Sequence, residues 1–303
     1  MNYTLLRGGA LIDGTGAEPR SGSLLFAERQ IVAVGEIAPP DDCDTVDVRG
    51  LVVAPGFIDL HSHGQDSINY RYLARDGVTT ALELEIGTYP VAPWYRKREG
   101  KSLINFGVSA SHIGARRAML DGDSTAEGVD VIAGAGAFVR SPIEHARLPL
   151  LERRLDAALS EGALGVGMGI NYTPAATREE IVRMFSVAAR HHAPVFVHVR
   201  WAGLLENAGG VAAVQEVIAD AAATGASLHV VHVTSMGLGA TPILPDLIDA
   251  ARAPGLDGTT EAYPPAPAPA RSQPPHPLSI LRCVRVSVVA VLVAGVVIPG
   301  GVV

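Results

Sequence analysis

Short apolar runs separated by turn residues fill the first fifty residues of the chain. Glycine or polar residues bound each run, and the runs lie at residues 4–7, 10–13, 23–26, 30–34 and 45–48. Runs of this length with turn signals between them are typical of strands in a small sheet. The pattern therefore predicts an all-β unit over residues 1–54, which we interpret as a small β-sandwich.

From residue 51 onward, apolar runs alternate with amphipathic stretches. The stretches 149–161, 177–192 and 210–224 have apolar residues at helical spacing. Seven apolar runs have the length of buried strands: 56–61, 79–85, 104–108, 165–168, 195–199, 228–233 and 258–263. Alternating helices and buried strands predict an α/β fold with a parallel sheet, either a β/α barrel or a doubly wound sheet. We place this unit at residues 55–264.

The alternation ends after Pro264. Residues 264–270 are proline and alanine only, and 284–303 are mostly valine, alanine and glycine with no charge after Arg285. A proline-rich segment forms neither a helix nor an inner strand. We interpret 265–303 as a tail foreign to the fold, as a shift of reading frame near residues 264–270 would produce. A membrane anchor is the alternative, because the uncharged stretch is marginally long enough to span a bilayer.

Charge and cysteine content argue against some classes of function. The 303 residues include 31 acidic and 24 basic residues, for a formal net charge of −7. An acidic balance argues against nucleic-acid binding, which needs a clustered basic surface. Cys43 and Cys283 cannot form a disulfide framework, and the N-terminus lacks a secretory pattern. We therefore expect a cytoplasmic protein.

The run from Pro55 to His63, Pro-Gly-Phe-Ile-Asp-Leu-His-Ser-His, carries the strongest chemical signal. Residues two apart on a strand point to one face, so the spacing puts the imidazoles of His61 and His63 side by side. They lie at the C-terminal end of an apolar strand, where β/α barrels carry their catalytic groups. Paired neutral imidazoles suit a divalent metal such as zinc. We predict a metal site here, with two unremarkable surface histidines as the alternative.

Together with later segments, this run resembles the amidohydrolase superfamily, and within it the N-acyl-D-amino-acid deacylases. The resemblance extends over residues 4–264. The segments that carry it are 55–63, 76–80, 111–116, 161–174, 198–200, His232 with Gly237, and 261–264. It implies a metal-dependent, TIM-like (β/α) barrel, here with about seven of its eight strands. It also implies one or two zinc ions at the carboxyl ends of the strands.

The resemblance assigns four histidines to the metal. His61 and His63 take the metal position of the first barrel strand, His198 ends the fifth, and His232 ends the sixth. The residues support His232 independently, because a full apolar run precedes it. His229 is three residues earlier and would face the opposite way on a continuous strand. We predict that His229 packs in the core or lies at the bottom face.

The family has a cysteine ligand after the second strand, and this chain has none there. Glu83 and Glu85 occupy the matching stretch and share one face. A carboxylate buried in a barrel is unfavourable unless it binds a metal or a partner. We predict Glu85 as the replacement ligand, with Glu83 as a supporting or alternative ligand. The alternative is that one of them pairs with an arginine or lysine on a loop. The sequence is compatible with a site for one metal ion or for two.

Four further residues are predicted to bind substrate. His112 and Arg116 follow the third strand, where the family keeps a similar pair near its site. Tyr172 lies in the loop after the fourth strand, with simple packing as the alternative. Arg200 shares a face with His198, and its guanidinium would meet a substrate carboxylate or form an internal salt bridge.

The implied reaction is metal-assisted hydrolysis of the amide of a small N-acylated amino acid or a related compound, with neither nucleic acid nor membrane as partner. In the superfamily an aspartate after the eighth strand takes the proton of the attacking water. No aspartate follows Asp257 in this chain. A catalytically impaired remnant with a binding or structural role is therefore the alternative function.

Overall fold

The computed structural model describes residues 2–201, 209–237 and 241–262, which form two sheets with helices around the second. The predicted tail at 265–303 lies outside the described residues. Because the first sheet uses residues up to Val53 and the second begins at Phe57, the two sheets follow each other along the chain.

The first sheet has five strands, with β3-β2-β1-β4 in order and β5 also pairing with β1. The strands are β1 (Tyr3–Leu11), β2 (Arg20–Ala27), β3 (Gln30–Gly35), β4 (Cys43–Asp47) and β5 (Val52–Val53). The runs at 4–7 and 10–13, predicted as separate strands, form one strand with an irregularity between Leu6 and Gly9. Gly8 lies in that irregularity with a φ of 80°, a conformation that glycine adopts without strain. Leu6, Leu24 and Val48 form the core of this unit.

The second sheet is parallel and has seven strands in consecutive order, from β12 to β6. The strands are β6 (Phe57–Asp59), β7 (Val78–Thr88), β8 (Asn105–Ser111), β9 (Val166–Gly169), β10 (Val195–His198), β11 (Leu228–Val230) and β12 (Gly258–Thr260). All seven predicted strands are present. The side chains of His61, just after β6, and Glu261, just after β12, are in contact. The sheet therefore curls until the ends of its outer strands face each other, as in a barrel and unlike a doubly wound sheet.

Nine α-helices lie among the described residues, together with short 3-10 turns such as Gly128–Ile132. The helices are α1 (Ser67–Arg75), α2 (Val91–Arg98), α3 (His112–Leu120), α4 (Ala137–Arg140), α5 (Leu148–Ser160), α6 (Arg178–Arg190), α7 (Gly209–Thr224), α8 (Val233–Gly237) and α9 (Ile243–Arg252). The three predicted helices correspond to α5, α6 and α7 within two residues at each end.

Local sequence explains where these helices begin. Thr177 caps α6 by accepting the backbone N–H of Glu180 at 3.1 Å, and Asp66 caps α1 in the same way. Proline stands in the first turn of α5, where its missing N–H has no helical partner to lose.

The main core lies between the sheet and its helices. Outward-facing valines of the central strands pack against apolar residues of α5, α6 and α7, all of them buried: Val108, Val166, Val195, Leu151, Leu155, Ile181, Phe185 and Val214. This packing holds the strands in place. The polar side chains at their carboxyl ends therefore lie together at one edge of the sheet.

No helix in the described part of the chain is long and apolar enough to cross a membrane.

Candidate metal centre

Five predicted metal-site residues converge at the carboxyl ends of the strands. They come from four strands and the segments directly after them, and they are His61, His63, Glu85, His198 and His232. Glu85 is 2% exposed and lies among the four imidazoles. A carboxylate so deeply buried is unfavourable without charged or hydrogen-bonding partners, and the histidines supply them.

Each oxygen of Glu85 faces two histidines. Oε1 lies 2.6 Å from Nδ1 of His198 and 3.5 Å from Nε2 of His232. Oε2 lies 2.7 Å from Nε2 of His61 and 3.4 Å from Nε2 of His63. The structure thus places Glu85 at the centre of the cluster, where the sequence predicted a ligand.

His61 and His63 lie beyond the first barrel strand, not on it as predicted, because β6 ends at Asp59. The carboxylate of Asp59 accepts the backbone N–H of His61 at 2.9 Å, which fixes the chain where it leaves the sheet. The Nε2 atoms of the two histidines nevertheless lie 3.2 Å apart. The paired arrangement is therefore present, although a bend at Leu60, and not strand alternation, precedes it.

A second carboxylate orients each of these histidines. Nδ1 of His61 lies 2.5 Å from Oε1 of Glu261, and Nδ1 of His63 lies 2.7 Å from Oε2 of Glu83. Both contacts use the nitrogen that faces away from Glu85. Metal-binding histidines are commonly held in this way, with a carboxylate on the far nitrogen that fixes the orientation of the ring.

The sequence places Glu261 on the last predicted strand and predicts no role for it. Its signal was an acidic residue directly after an apolar strand, at the end of the sheet where the histidines lie. The contact with His61 joins residues 200 positions apart, so no local pattern could reveal it. Glu83, predicted as a supporting or alternative ligand, contacts Nδ1 of His63, and its role stays a prediction.

In the absence of a metal, these contacts shift the pKa values of several side chains in the cluster. Burial lowers the pKa of His61, but Glu261 and Glu85 outweigh it and raise the pKa to about 9. Hydrogen bonds to Glu83 and Glu85 raise the pKa of His63 to about 10. Burial raises the pKa of Glu85, yet the histidine contacts hold it well below its usual range. Without a metal, the cluster thus favours an ionised Glu85 beside protonated His61 and His63.

The donor set fits a metal ion. One ligand atom each from His61, Glu85 and His232 lie within 4.8 Å of one another. Imidazole nitrogen and carboxylate oxygen are common zinc ligands. Burial lowers the pKa of His198, which favours the neutral imidazole that coordination needs.

His229 lies inside the barrel, close to the cluster. Its Nδ1 lies 2.8 Å from the hydroxyl of Thr259, and its Nε2 lies 3.5 Å from Oε2 of Glu261. It is packed, as predicted, but the expected opposite orientation of His229 and His232 does not apply. Strand β11 ends at Val230, and His232 has a φ of 32°, so the alternation stops before His232.

Tyr172 lies beside the cluster. Its ring centroid is 5.0 Å from that of His198, with the rings near a T-shaped arrangement. This position is compatible with lining a substrate pocket.

The other predicted substrate residues have internal partners. His112 and Arg116 are completely buried, and Glu180 binds both, at 2.7 Å from Nε2 of His112 and 2.5 Å from Nη1 of Arg116. Nε of Arg200 lies 2.9 Å from Glu216, the salt bridge named as its alternative. The structure therefore does not join these three residues to the cluster, and their role in substrate binding stays a prediction.

The family profile described as "Amidohydrolase family" matches residues 52–235 of this chain. The match spans more than half of the chain, so the protein belongs to the amidohydrolase family. The curled parallel sheet is the TIM-like barrel of that family, with seven strands among the described residues.

Within that family the chain is similar to deacylases. It is 32% identical to a D-aminoacylase of Alcaligenes xylosoxydans xylosoxydans over 225 residues, which cover 65% of this chain and 44% of that protein. It is 28% identical over 282 residues to an N-acyl-D-glutamate deacylase of the same organism, covering 86% of this chain and 56% of that protein. The chain spans about half the length of these relatives.

Solved structures agree on the fold. A zinc- and phosphonate-bound N-acyl-D-glutamate deacylase of Bordetella bronchiseptica superposes with a TM-score of 0.68 at 24% identity, over 86% of this chain and 58% of that one. A crystal structure of a D-aminoacylase gives the same TM-score, identity and coverage.

Proposed function

We propose that this chain carries the metal centre of an amide hydrolase that removes the acyl group from an N-acyl-D-amino acid. The observation that carries the proposal is the convergence of four imidazoles on the buried carboxylate of Glu85. The curated relatives support the reaction class, because they include deacylases of N-acyl-D-glutamate and N-acyl-D-aspartate.

Zinc is the metal that this donor set fits best. His61, Glu85 and His232 would hold one ion, and His63 and His198 would complete that site or hold a second ion. When bound, zinc would polarise the amide carbonyl and lower the pKa of a water molecule.

The residues of the chain supply orientation and burial. Glu261 and Glu83 accept the N–H at Nδ1 of His61 and His63, which leaves both Nε2 atoms facing the centre. Tyr172 would border the substrate beside His198. The substrate would be a small molecule, in a protein expected to be cytoplasmic.

The test measures zinc binding by calorimetry and hydrolysis across a panel of N-acetyl-D-amino acids. We expect one or two zinc ions per chain, and zinc-dependent release of acetate. His61→Ala and Glu85→Gln should both reduce zinc affinity and abolish hydrolysis. Glu18→Gln changes an exposed carboxylate in the loop between β1 and β2 and should leave both unchanged. Absence of zinc binding by the folded protein would refute the proposal.

A second candidate is a metal-binding protein without hydrolytic activity. It is favoured by the contacts of the carboxylates at the cluster, because Glu83, Glu85 and Glu261 each already bind a histidine. Zinc binding without hydrolysis of any N-acyl-D-amino acid or cyclic amide would select this function.

A further inference from the structure

His229 is a buried histidine that contacts one of the carboxylates supporting the metal centre. It lies on β11, and its register neighbours on the two flanking strands are Phe196 of β10 and Thr259 of β12. The ring centroid of Phe196 lies 5.5 Å from that of His229, and the hydroxyl of Thr259 lies 2.8 Å from Nδ1 of His229. Three adjacent strands therefore hold this imidazole in place.

The hydroxyl of Thr259 determines which nitrogen of His229 carries the hydrogen. Two acceptors lie near this hydroxyl: Nδ1 of His229 at 2.8 Å and the carbonyl oxygen of Leu228 at 3.4 Å. The hydroxyl has one proton to donate, and the shorter contact makes Nδ1 the better acceptor. Because Nδ1 then accepts, the N–H of the neutral imidazole is at Nε2.

This N–H lies beside Glu261. Nε2 of His229 is buried and has no hydrogen-bond partner among the described residues, but Oε2 of Glu261 lies 3.5 Å away. That distance is slightly beyond the usual range of about 2.7–3.2 Å for an N–H···O hydrogen bond. Since a buried donor without a partner is unfavourable, the closer approach of Oε2 to Nε2 is stabilising.

The two oxygens of Glu261 have different partners. Oε1 accepts from Nδ1 of His61 at 2.5 Å and from the backbone N–H of His232 at 3.2 Å. Within the described part of the chain, Oε2 faces only His229. The last side-chain torsion of a glutamate is soft, so contacts on Oε1 alone leave the carboxylate plane free to turn. A contact on Oε2 fixes this plane, and with it the direction from which Glu261 holds the ring of His61.

We propose that His229 is a positioning residue, which holds Oε2 of Glu261 so that Oε1 keeps Nε2 of His61 directed at the metal site. The inference rests on the proposed function, in which His61 is a metal ligand. Loss of the direct partner of a metal-binding histidine typically costs about 10–100-fold in metal affinity. His229 lies one contact further out, so its loss should cost about tenfold, the lower end of that range.

A double-mutant cycle tests whether His229 acts through Glu261. Zinc affinity is measured by calorimetry in the wild type, His229→Leu, Glu261→Gln and the double variant. We expect about tenfold weaker binding in His229→Leu, and no further loss when this change is added to Glu261→Gln. His229→Gln should recover most of the affinity, because its amide supplies an N–H donor. His145→Leu removes an exposed histidine paired with Glu179 and should leave the affinity unchanged.

A second measurement uses the metal-free protein and depends on neither zinc nor hydrolysis. The ring ¹⁵N signals of His61 report the contact of its Nδ1 with Glu261. They should move in His229→Leu and stay in place in His145→Leu. When Glu261→Gln is already present, His229→Leu should leave them unchanged. Cooperative unfolding of each variant in urea shows that it folds.

If the protein binds zinc, an affinity that is unchanged in His229→Leu would overturn the inference. Equal losses with and without the carboxylate of Glu261 would also overturn it, because His229 would then act by another route. So would His61 signals that do not move. Hydrolysis of N-acyl-D-amino acids that His229→Leu leaves unaffected, with unchanged zinc affinity, would overturn the inference while the proposed function stands. Movement of the His61 signals that depends on Glu261, in a protein without hydrolytic activity, would do the reverse.

Discussion

Glu85 has two oxygens, and the four imidazoles divide between them. Oε1 faces His198 and His232, and Oε2 faces His61 and His63. Without a metal, this buried carboxylate offsets the charge of His61 and His63, whose pKa values are raised. The same contacts make the metal-free cluster sensitive to pH.

We predict that the metal-free protein loses stability as pH rises from about 6.5. The pKa values of His61 and His63 are raised to about 9 and about 10. A raised histidine pKa contributes stability that is complete below the unfolded value of about 6.5 and is lost as pH rises through the folded value. Urea denaturation in chelator between pH 6 and 10.5 should show a falling free energy of unfolding.

His63→Gln provides the control for this pH profile. It removes the titrating ring that pairs with Glu83. The free energy of unfolding should therefore fall less steeply with pH than in the wild type. A wild-type profile already flat across this range would show that the raised pKa values do not stabilise the fold.

At the scale of elements, strands β7, β8 and β9 approach closely beneath the histidine cluster. A Cβ added at Gly167 would lie 2.3 Å from Oγ of Ser109 and 2.6 Å from the carbonyl oxygen of Glu85. A methyl group fits there only if the strands move apart.

We therefore expect Gly167→Ala to lower the free energy of unfolding by about 1–3 kcal/mol, as overpacking does. It should also weaken zinc binding, because it displaces the backbone of Glu85. Gly210→Ala is the control, since among the described residues its Cβ would meet only Leu244, at 3.8 Å. Denaturation and zinc calorimetry measure both effects. Unchanged zinc affinity in Gly167→Ala would show that β9 does not position Glu85.

The first turn of α6 carries two neighbouring glutamates in different surroundings. Glu180 is fully buried between His112 and Arg116. Glu179 is 44% exposed and pairs with Arg183 and His145. The adjacent positions separate the effect of burial from that of helix position.

Glu180→Gln should destabilise the protein by about 3–5 kcal/mol, because it leaves Arg116 charged and unpaired in the core. Glu179→Gln should change stability by less than about 1 kcal/mol, as exposed pairs do. Equilibrium denaturation of both variants checks the difference. Similar losses in the two would show that the buried triad contributes no more than a surface pair.

Over the whole molecule, the parallel sheet runs from β12 to β6, and within the described residues each of these outer strands has one neighbour. Amides of outer strands open more readily than those of central strands. We expect hydrogen exchange in β12 to be at least about tenfold faster than in β9 and β10, measured by mass spectrometry of peptides. Equal protection would show that a further strand or a second copy pairs with this edge.

The sequence predicted the barrel and its histidines because apolar strands and their terminal polar residues are local patterns. It could not predict contacts between distant segments, such as Glu261 with His61 or Glu180 with Arg116. It also missed the end of β6 at Asp59, because the residues up to His61 continue the apolar run. Glu85 could be predicted as a ligand because an acidic residue in a barrel strand needs a partner.

The contact between His61 and Glu261 joins the beginning and the end of the barrel, 200 residues apart. During synthesis, a nascent chain holds His61, His63 and Glu85 long before Glu261 leaves the ribosome. The orienting carboxylate of His61 thus reaches its place only after the last described strand has been made. A metal ion bound before that point would meet a less ordered His61. The full affinity of the chain for a metal would therefore arise only after Glu261 has been synthesised.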